Sequence, residues 1–199
     1  MIFTLLFLLA ASGVRAGEIP VREGDIVFQT FASAQTRAIQ VATKSRFNHV
    51  GLVLMYHDTL MVFEAIGPVG FIPLGKWVAR DPNRHVVVRR LRDADSVLTA
   101  TNREKLRTAA AVFEGRLYDS ALNWSDEKLY CSELVWKIFR NALALAVGDL
   151  RAMKEFDLAN PEVEKKLKER YPGGIPLEET VVSPEDIFRS ALLVTVYEQ

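Results

Sequence analysis

The chain has 199 residues, 25 Lys+Arg against 25 Asp+Glu, 49% hydrophobic residues and one Cys. That length suits one ordinary domain able to bury a core without disulfides or a metal. The zero net charge argues against a nucleic-acid binder, which needs a basic surplus. The apolar content excludes a disordered chain, and a single Cys excludes a disulfide framework or a multi-cysteine zinc or iron–sulfur site.

Residues 1–11 are apolar except for Thr4. The run is too short to span a membrane, which takes about 20 residues, and has the length of a signal-peptide core. Val14 and Ala16 supply small residues at −3 and −1 of a cleavage site, although no Lys or Arg precedes the apolar run. The expectation is a signal peptide over 1–16, cleavage after Ala16, and an exported, periplasmic or secreted mature domain over 17–199 with no integral membrane span. Gly24-Asp25 is a turn signal ahead of a short strand, IVFQT, and residues 31–43 carry Ala34, Ala38 and Val41 at helical spacing. The runs NHVGLVLMY and LMVFEAI, rich in β-branched and aromatic residues around a short polar tip, predict a β-hairpin of two central strands. Residues 85–91 (HVVVRRL) predict another strand, and 102–114 an amphipathic helix leading into Gly115. A second helix is expected over 131–143, with Leu134, Val135, Ile138, Phe139 and Ala142 on one face. Asn160-Pro161 caps a charged helix running to about 170, read as a solvated face, and Ser183-Pro184 opens another. Strands with flanking helices, and no internal repeat or linker, predict a single α+β domain built on a largely antiparallel sheet.

Cys131 falls in the first turn of its predicted helix, where free backbone N–H groups favour the thiolate. It reads either as a nucleophile on a rigid mount or as a small buried hydrophobe. His49 opens a strand and is the candidate base for that thiol. His57 belongs to the polar hairpin tip, and His85, at a strand entry, is read as structural. Glu64 is a carboxylate inside an apolar strand, where an ionised group needs a partner. With a two-residue His57-Asp58 turn, Glu64 opposes Gly51 and shares a face with His49, one diagonal step away, roughly 7–8 Å between backbones. It then orients the imidazole, or else pairs with an arginine to hold the fold. Tyr118 either presents its hydroxyl to the cleft or simply packs, and Asp119 is a turn residue. Gln29, at a strand end, either donates to an oxyanion or is solvated. Trp77, Trp124 and Trp136 are core or cleft-wall residues. The scattered histidines and the lack of a Cys pair leave no metal site, and no phosphate or dinucleotide loop is present, so no cofactor is expected.

Taken in order, GDIVFQT, SRFNHVGLVL, VFEAIGPVGFIPLGKWV and LYDSALNWSDEKLYCSELVWKIF resemble the YiiX-like permuted papain-fold cysteine hydrolases, circularly permuted relatives of NlpC-type cell-wall peptidases. The resemblance covers roughly residues 22–140, with Ser183-Pro184-Glu185-Asp186-Ile187 echoing a closing segment. It implies a papain-like domain with a central antiparallel sheet packed by helices. It implies Cys131 as nucleophile, His49 as base, Glu64 as the residue orienting His49, and Tyr118 lining the substrate site. Residues 144–176 do not align to that pattern and read as an insertion shaping the substrate groove. The leading expectation is an exported amidase or peptidase acting on peptides, such as cell-wall fragments. A lipid or acyl-ester hydrolase or acyltransferase, with GPVGFIPL lining an acyl groove, is the second reading, and a catalytically silent peptide-binding module the third. The sequence leaves the oligomeric state open.

Overall fold

The computed structural model describes residues 19–30 and 34–199; the expected signal peptide over 1–16 lies outside the described residues. Strand β1 (Ile26–Gln29) leads through helix α1 (Ala34–Thr43) to the hairpin β2 (His49–Tyr56) and β3 (Thr59–Glu64). There follow β4 (Gly70–Pro73), α2 (Leu74–Val78), β5 (Val87–Leu91), α3 (Ala94–Val97) and α4 (Ala100–Ala111). Short strands β6 (Leu117–Tyr118) and β7 (Lys128–Leu129) precede α5 (Cys131–Leu143). The chain closes with β8 (Arg151–Ala152), α6 (Pro161–Arg170), β9 (Thr180–Val181), α7 (Pro184–Phe188) and β10 (Leu193–Glu198).

The main sheet has six strands in the order β10-β5-β1-β2-β3-β4, every neighbouring pair antiparallel. The hairpin turns on His57 and Asp58, both with positive φ (43° and 60°), the geometry of a two-residue type I′ turn. Leu52 therefore pairs with Phe63, and the next position sets Gly51 beside Glu64, the register the sequence predicts. Both faces of the central strands are covered, which is why β2 reads as a nearly unbroken apolar run rather than an alternation. Val50, Leu52 and Leu54 join the larger core with Leu134, Val135, Ile138 and Phe139 of α5, while Val27, Val53 and Val62 pack with Trp77 of α2 in a smaller one. No helix among the described residues is long and apolar enough to cross a membrane.

The two helices expected at 31–43 and 131–143 appear as α1 and α5. The stretch GPVGFIPL becomes β4 and the start of α2, at the sheet edge: Phe71 stacks on Tyr56 at 4.2 Å and tilts against Phe63 at 4.7 Å. Helix α6 has the expected Asn160 cap, whose side chain accepts from the Glu162 N–H. It is more than a solvated face, since Val163 and Leu167 are buried.

Gly51 sits where two cores and the site meet. A Cβ there would lie 2.4 Å from Val62 Cγ1, closer than neighbours can approach without shifting, and in ordinary contact with Trp77 Nε1 at 3.6 Å. Gly51→Ala is expected to lower unfolding stability by about 1–3 kcal/mol, read as a drop in the urea midpoint at unchanged slope.

Candidate active site

Three elements deliver the site. Strand β2 begins with His49, strand β3 ends with Glu64, and α5 begins with Cys131. All three residues are buried: His49 is 3%, Glu64 4% and Cys131 6% exposed. His49 Nε2 lies 2.6 Å from Glu64 Oε2, the diagonal contact the hairpin register predicts. The same imidazole makes a side-chain hydrogen bond with Cys131; with Nε2 engaged by Glu64, Nδ1 is the nitrogen left for the thiol. The structure thus brings Cys131, His49 and Glu64 into one chain of contacts across two elements and a helix terminus.

Glu64 has further partners. Trp77 Nε1 donates to Oε2 at 2.9 Å, and Arg80 forks onto the carboxylate, Nη1 to Oε2 at 2.7 Å and Nη2 to Oε1 at 2.6 Å. Glu64 thus touches the imidazole and pairs with an arginine. Burial works to raise the Glu64 pKa, but the hydrogen bonds and positive charges of His49 and Arg80 outweigh it and hold the group ionised below its ordinary range. At His49 burial works downward, yet the hydrogen bonds and negative charges of Cys131 and Glu64 carry its pKa up to about 9.

The start of α5 is braced from within. Glu133 accepts the Ser125 and Tyr130 backbone N–H groups and pairs with Lys137 Nζ at 2.9 Å. Burial pushes its pKa up to about 7, with Lys137 and the two N–H groups pulling the other way. Tyr130 donates no charge to the site but its hydroxyl accepts the Val182 N–H, tying the helix start to the strand before α7. Tyr118 does line the cavity that contains Cys131. Burial and the neighbouring Cys131 charge push its phenol well up, so it stays a neutral hydroxyl.

Gln29 departs from the solvated alternative. It is fully buried, stands opposite His49 in the sheet, and neither Nε2 nor Oε1 has a hydrogen-bonding partner among the described residues. Asp119 is the expected turn residue, its carboxylate accepting the Ala121 and Asn123 N–H groups. His57 is exposed, and His85 stacks with Phe47. The roles of Trp77 and Arg80 are not legible in the sequence: Trp77 lies in the five-residue helix α2 and Arg80 in the turn after it, and neither carries a periodic signal. The one available hint was that a carboxylate in an apolar strand needs donors.

The chain belongs to the permuted papain-like amidases of the YaeF/YiiX, C92 family, whose model matches residues 20–197. It is therefore a cysteine peptidase or amidase-type hydrolase with a permuted papain-like fold. Among its relatives, the Escherichia coli K12 protein YiiX is 43% identical over 192 residues, 96% of this chain and 94% of that one. A crystal structure of yiiX from E. coli O157:H7, described as a metalloprotein, matches with a TM-score of 0.85 at 46% identity, over 89% of this chain and 97% of that one. The family match runs across residues 144–176.

The imidazolium of His49 should persist far above the ordinary range. Its NMR titration is expected to have a midpoint near 9, and Glu64→Gln is expected to move it down; a wild-type midpoint at or below the ordinary value of about 6.5 contradicts the arrangement. Glu64→Ala leaves His49 and Arg80 without their shared counter-charge and is expected to cost roughly 3 kcal/mol of stability, measured by chemical denaturation.

Proposed function

We propose that the protein is an exported amidase working through a Cys131-His49-Glu64 triad. The observation that carries this reading is the continuous contact from the Glu64 carboxylate through the His49 imidazole to the Cys131 thiol, with the thiol at a helix N-terminus. The Cys131 thiolate attacks the amide carbonyl carbon, and the developing oxyanion is met by the free Cys131 backbone N–H. The His49 imidazolium gives its proton to the leaving nitrogen, the C–N bond breaks, and the acyl group stays on sulfur as a thioester. Neutral His49 then takes a proton from water as the hydroxide adds to the thioester. Collapse expels the thiolate and releases the acid, restoring the ion pair. Glu64 keeps the ring oriented and stabilises its charged form; Trp77 and Arg80 hold Glu64 still.

Gln29 supports the same reading. A buried amide beside His49 with no partner among the described residues costs about 1–3 kcal/mol, a cost with a purpose if its N–H₂ also reaches the oxyanion. Tyr118 borders the substrate. Cell-wall peptides are the substrate class that the expected export signal and the NlpC-type resemblance favour.

The E. coli yiiX structure is described as a metalloprotein. Among the described residues of this chain, no three His, Cys, Asp or Glu gather as a ligand set, and His49 and Glu64 are already bonded to each other. This donor set does not fit a resident ion, and no step above runs through one.

Incubation with cell-wall fragments and model amides, scored by mass, tests the reading. Cys131→Ala is expected to abolish release of product, and hydrolysis that survives it would overturn the triad. Gln29→Leu is expected to lower kcat at least tenfold while leaving the unfolding midpoint unchanged or higher, since it removes a buried amide that has no partner among the described residues; loss of stability with full activity would assign Gln29 to the core. Mass analysis of the exported product is expected to show a chain starting at Gly17.

A further inference from the structure

Glu133 is a buried acid two residues past the nucleophile, and the mechanism gives it no task. It is fully enclosed in the first turn of α5 and stands outside the chain of contacts from Glu64 to Cys131. Three donors converge on its carboxylate. Oε1 accepts the Ser125 N–H at 3.2 Å and meets Lys137 Nζ at 2.9 Å, and Oε2 accepts the Tyr130 N–H at 3.4 Å. Lys137 is itself nearly buried. It donates to Ser125 O and Asp126 Oδ1, both at 2.7 Å, and lies 4.8 Å from the centre of the Trp124 ring. Two side chains of α5 thus gather the backbone of residues 124–130 onto the helix start.

That segment leads directly into the site. Tyr130 is the N-cap of α5, so its N–H immediately precedes the Cys131 N–H assigned to the oxyanion. Tyr118, which lines the cavity with Cys131, pairs with Leu129 across β6 and β7. A carboxylate suits this place because it only accepts, whereas a protonated acid turns an O–H toward a ring of donors and must give one of them up. Burial raises the Glu133 pKa, and Lys137 with the two N–H groups holds it to about 7. The titratable and charged groups that face it are Lys137, from its own helix, and the Tyr130 phenol, from the segment before it. Asp126 acts on Lys137, and Cys131 and Asp119 act on Tyr130.

We propose that Glu133 and Lys137 are positioning residues for the reaction: the ionised pair holds residues 125–130 so that the Cys131 thiol and N–H keep their working geometry, and a proton taken by Glu133 from solvent loosens that hold. The proposal rests on the reading of Cys131 as nucleophile. His49 titrates near 9, so a change in the thiol around neutral pH reports Glu133 rather than the imidazole.

Two measurements read this without a substrate. The rate of Cys131 alkylation by iodoacetamide reads the thiol. Hydrogen-exchange protection of the Ser125 and Tyr130 amides, corrected for the intrinsic pH dependence of exchange, reads the hold. In the wild type both are expected to rise at least fivefold across one step with its midpoint near 7. Lys137→Met removes the counter-charge and is expected to move the step to higher pH. Asp126→Asn removes an exposed competitor for Lys137 and is expected to move it to lower pH. Glu133→Gln is expected to erase the step and leave alkylation at the low plateau throughout; if that variant fails to fold, the opposite shifts of the other two decide. A uniform loss of rate with the step unmoved, or alkylation of Glu133→Gln at the high plateau, overturns the proposal. So does a step that follows Glu64→Gln instead of Lys137→Met, which would belong to His49. Amide hydrolysis that survives Cys131→Ala, with both steps present and shifting as stated, overturns the triad and leaves the Glu133 hold on Cys131 standing.

Discussion

The structure turns on one buried carboxylate. Glu64 lies in the interior of a sheet, where an isolated charge would be untenable, and it is stable there because an imidazole, an indole N–H and a forked guanidinium converge on it. Each of those donors comes from a different stretch of chain: β2, α2 and the residues just after it. The position of α2 against the sheet is thus tied to the charge state of the site. The same bond that satisfies Glu64 fixes the ring of His49 and leaves its other nitrogen facing α5. Fold and chemistry share one constraint, since neither His49 nor Arg80 can be released without stranding the other partners.

The hairpin makes that constraint possible. Because its turn holds two residues, Glu64 and His49 lie on one face of the sheet, and because Gly51 has no side chain, Val62 and the Trp77 indole close over the vacant position. A side chain period of two leaves no intermediate arrangement: a shift by one residue would send Glu64 to the α5 side of the sheet.

Much of this was legible in the sequence because it depends on local spacing. The turn residues, the hairpin register they set and the helix beginning at Cys131 specify three contributors to the site before any tertiary contact is known. What was not legible depends on packing between distant segments. Arg80 and Trp77 reach Glu64 only after β4 and α2 fold back over the sheet. Gln29 looks like an ordinary strand end until β1 is enclosed by β2 and β5. Helix α6 carries so many charges that its two buried residues are overlooked, and only its packing against α1 turns Val163 and Leu167 into a wall. The segment 144–176 likewise gives no local signal of its role, because its contribution is the surface it presents to α1 and α5.

The depth of Cys131 decides which reagents meet it. At 6% exposure beneath an apolar-walled recess, the sulfur is screened from bulky or strongly hydrated electrophiles whatever its intrinsic nucleophilicity, since a charged warhead must shed water to enter. A slender alkyl chain tipped with a neutral electrophile sheds almost nothing. Covalent inhibitors and activity-based labels for this protein are therefore best designed from the tail inward, with shape and lipophilicity chosen before the reactive group.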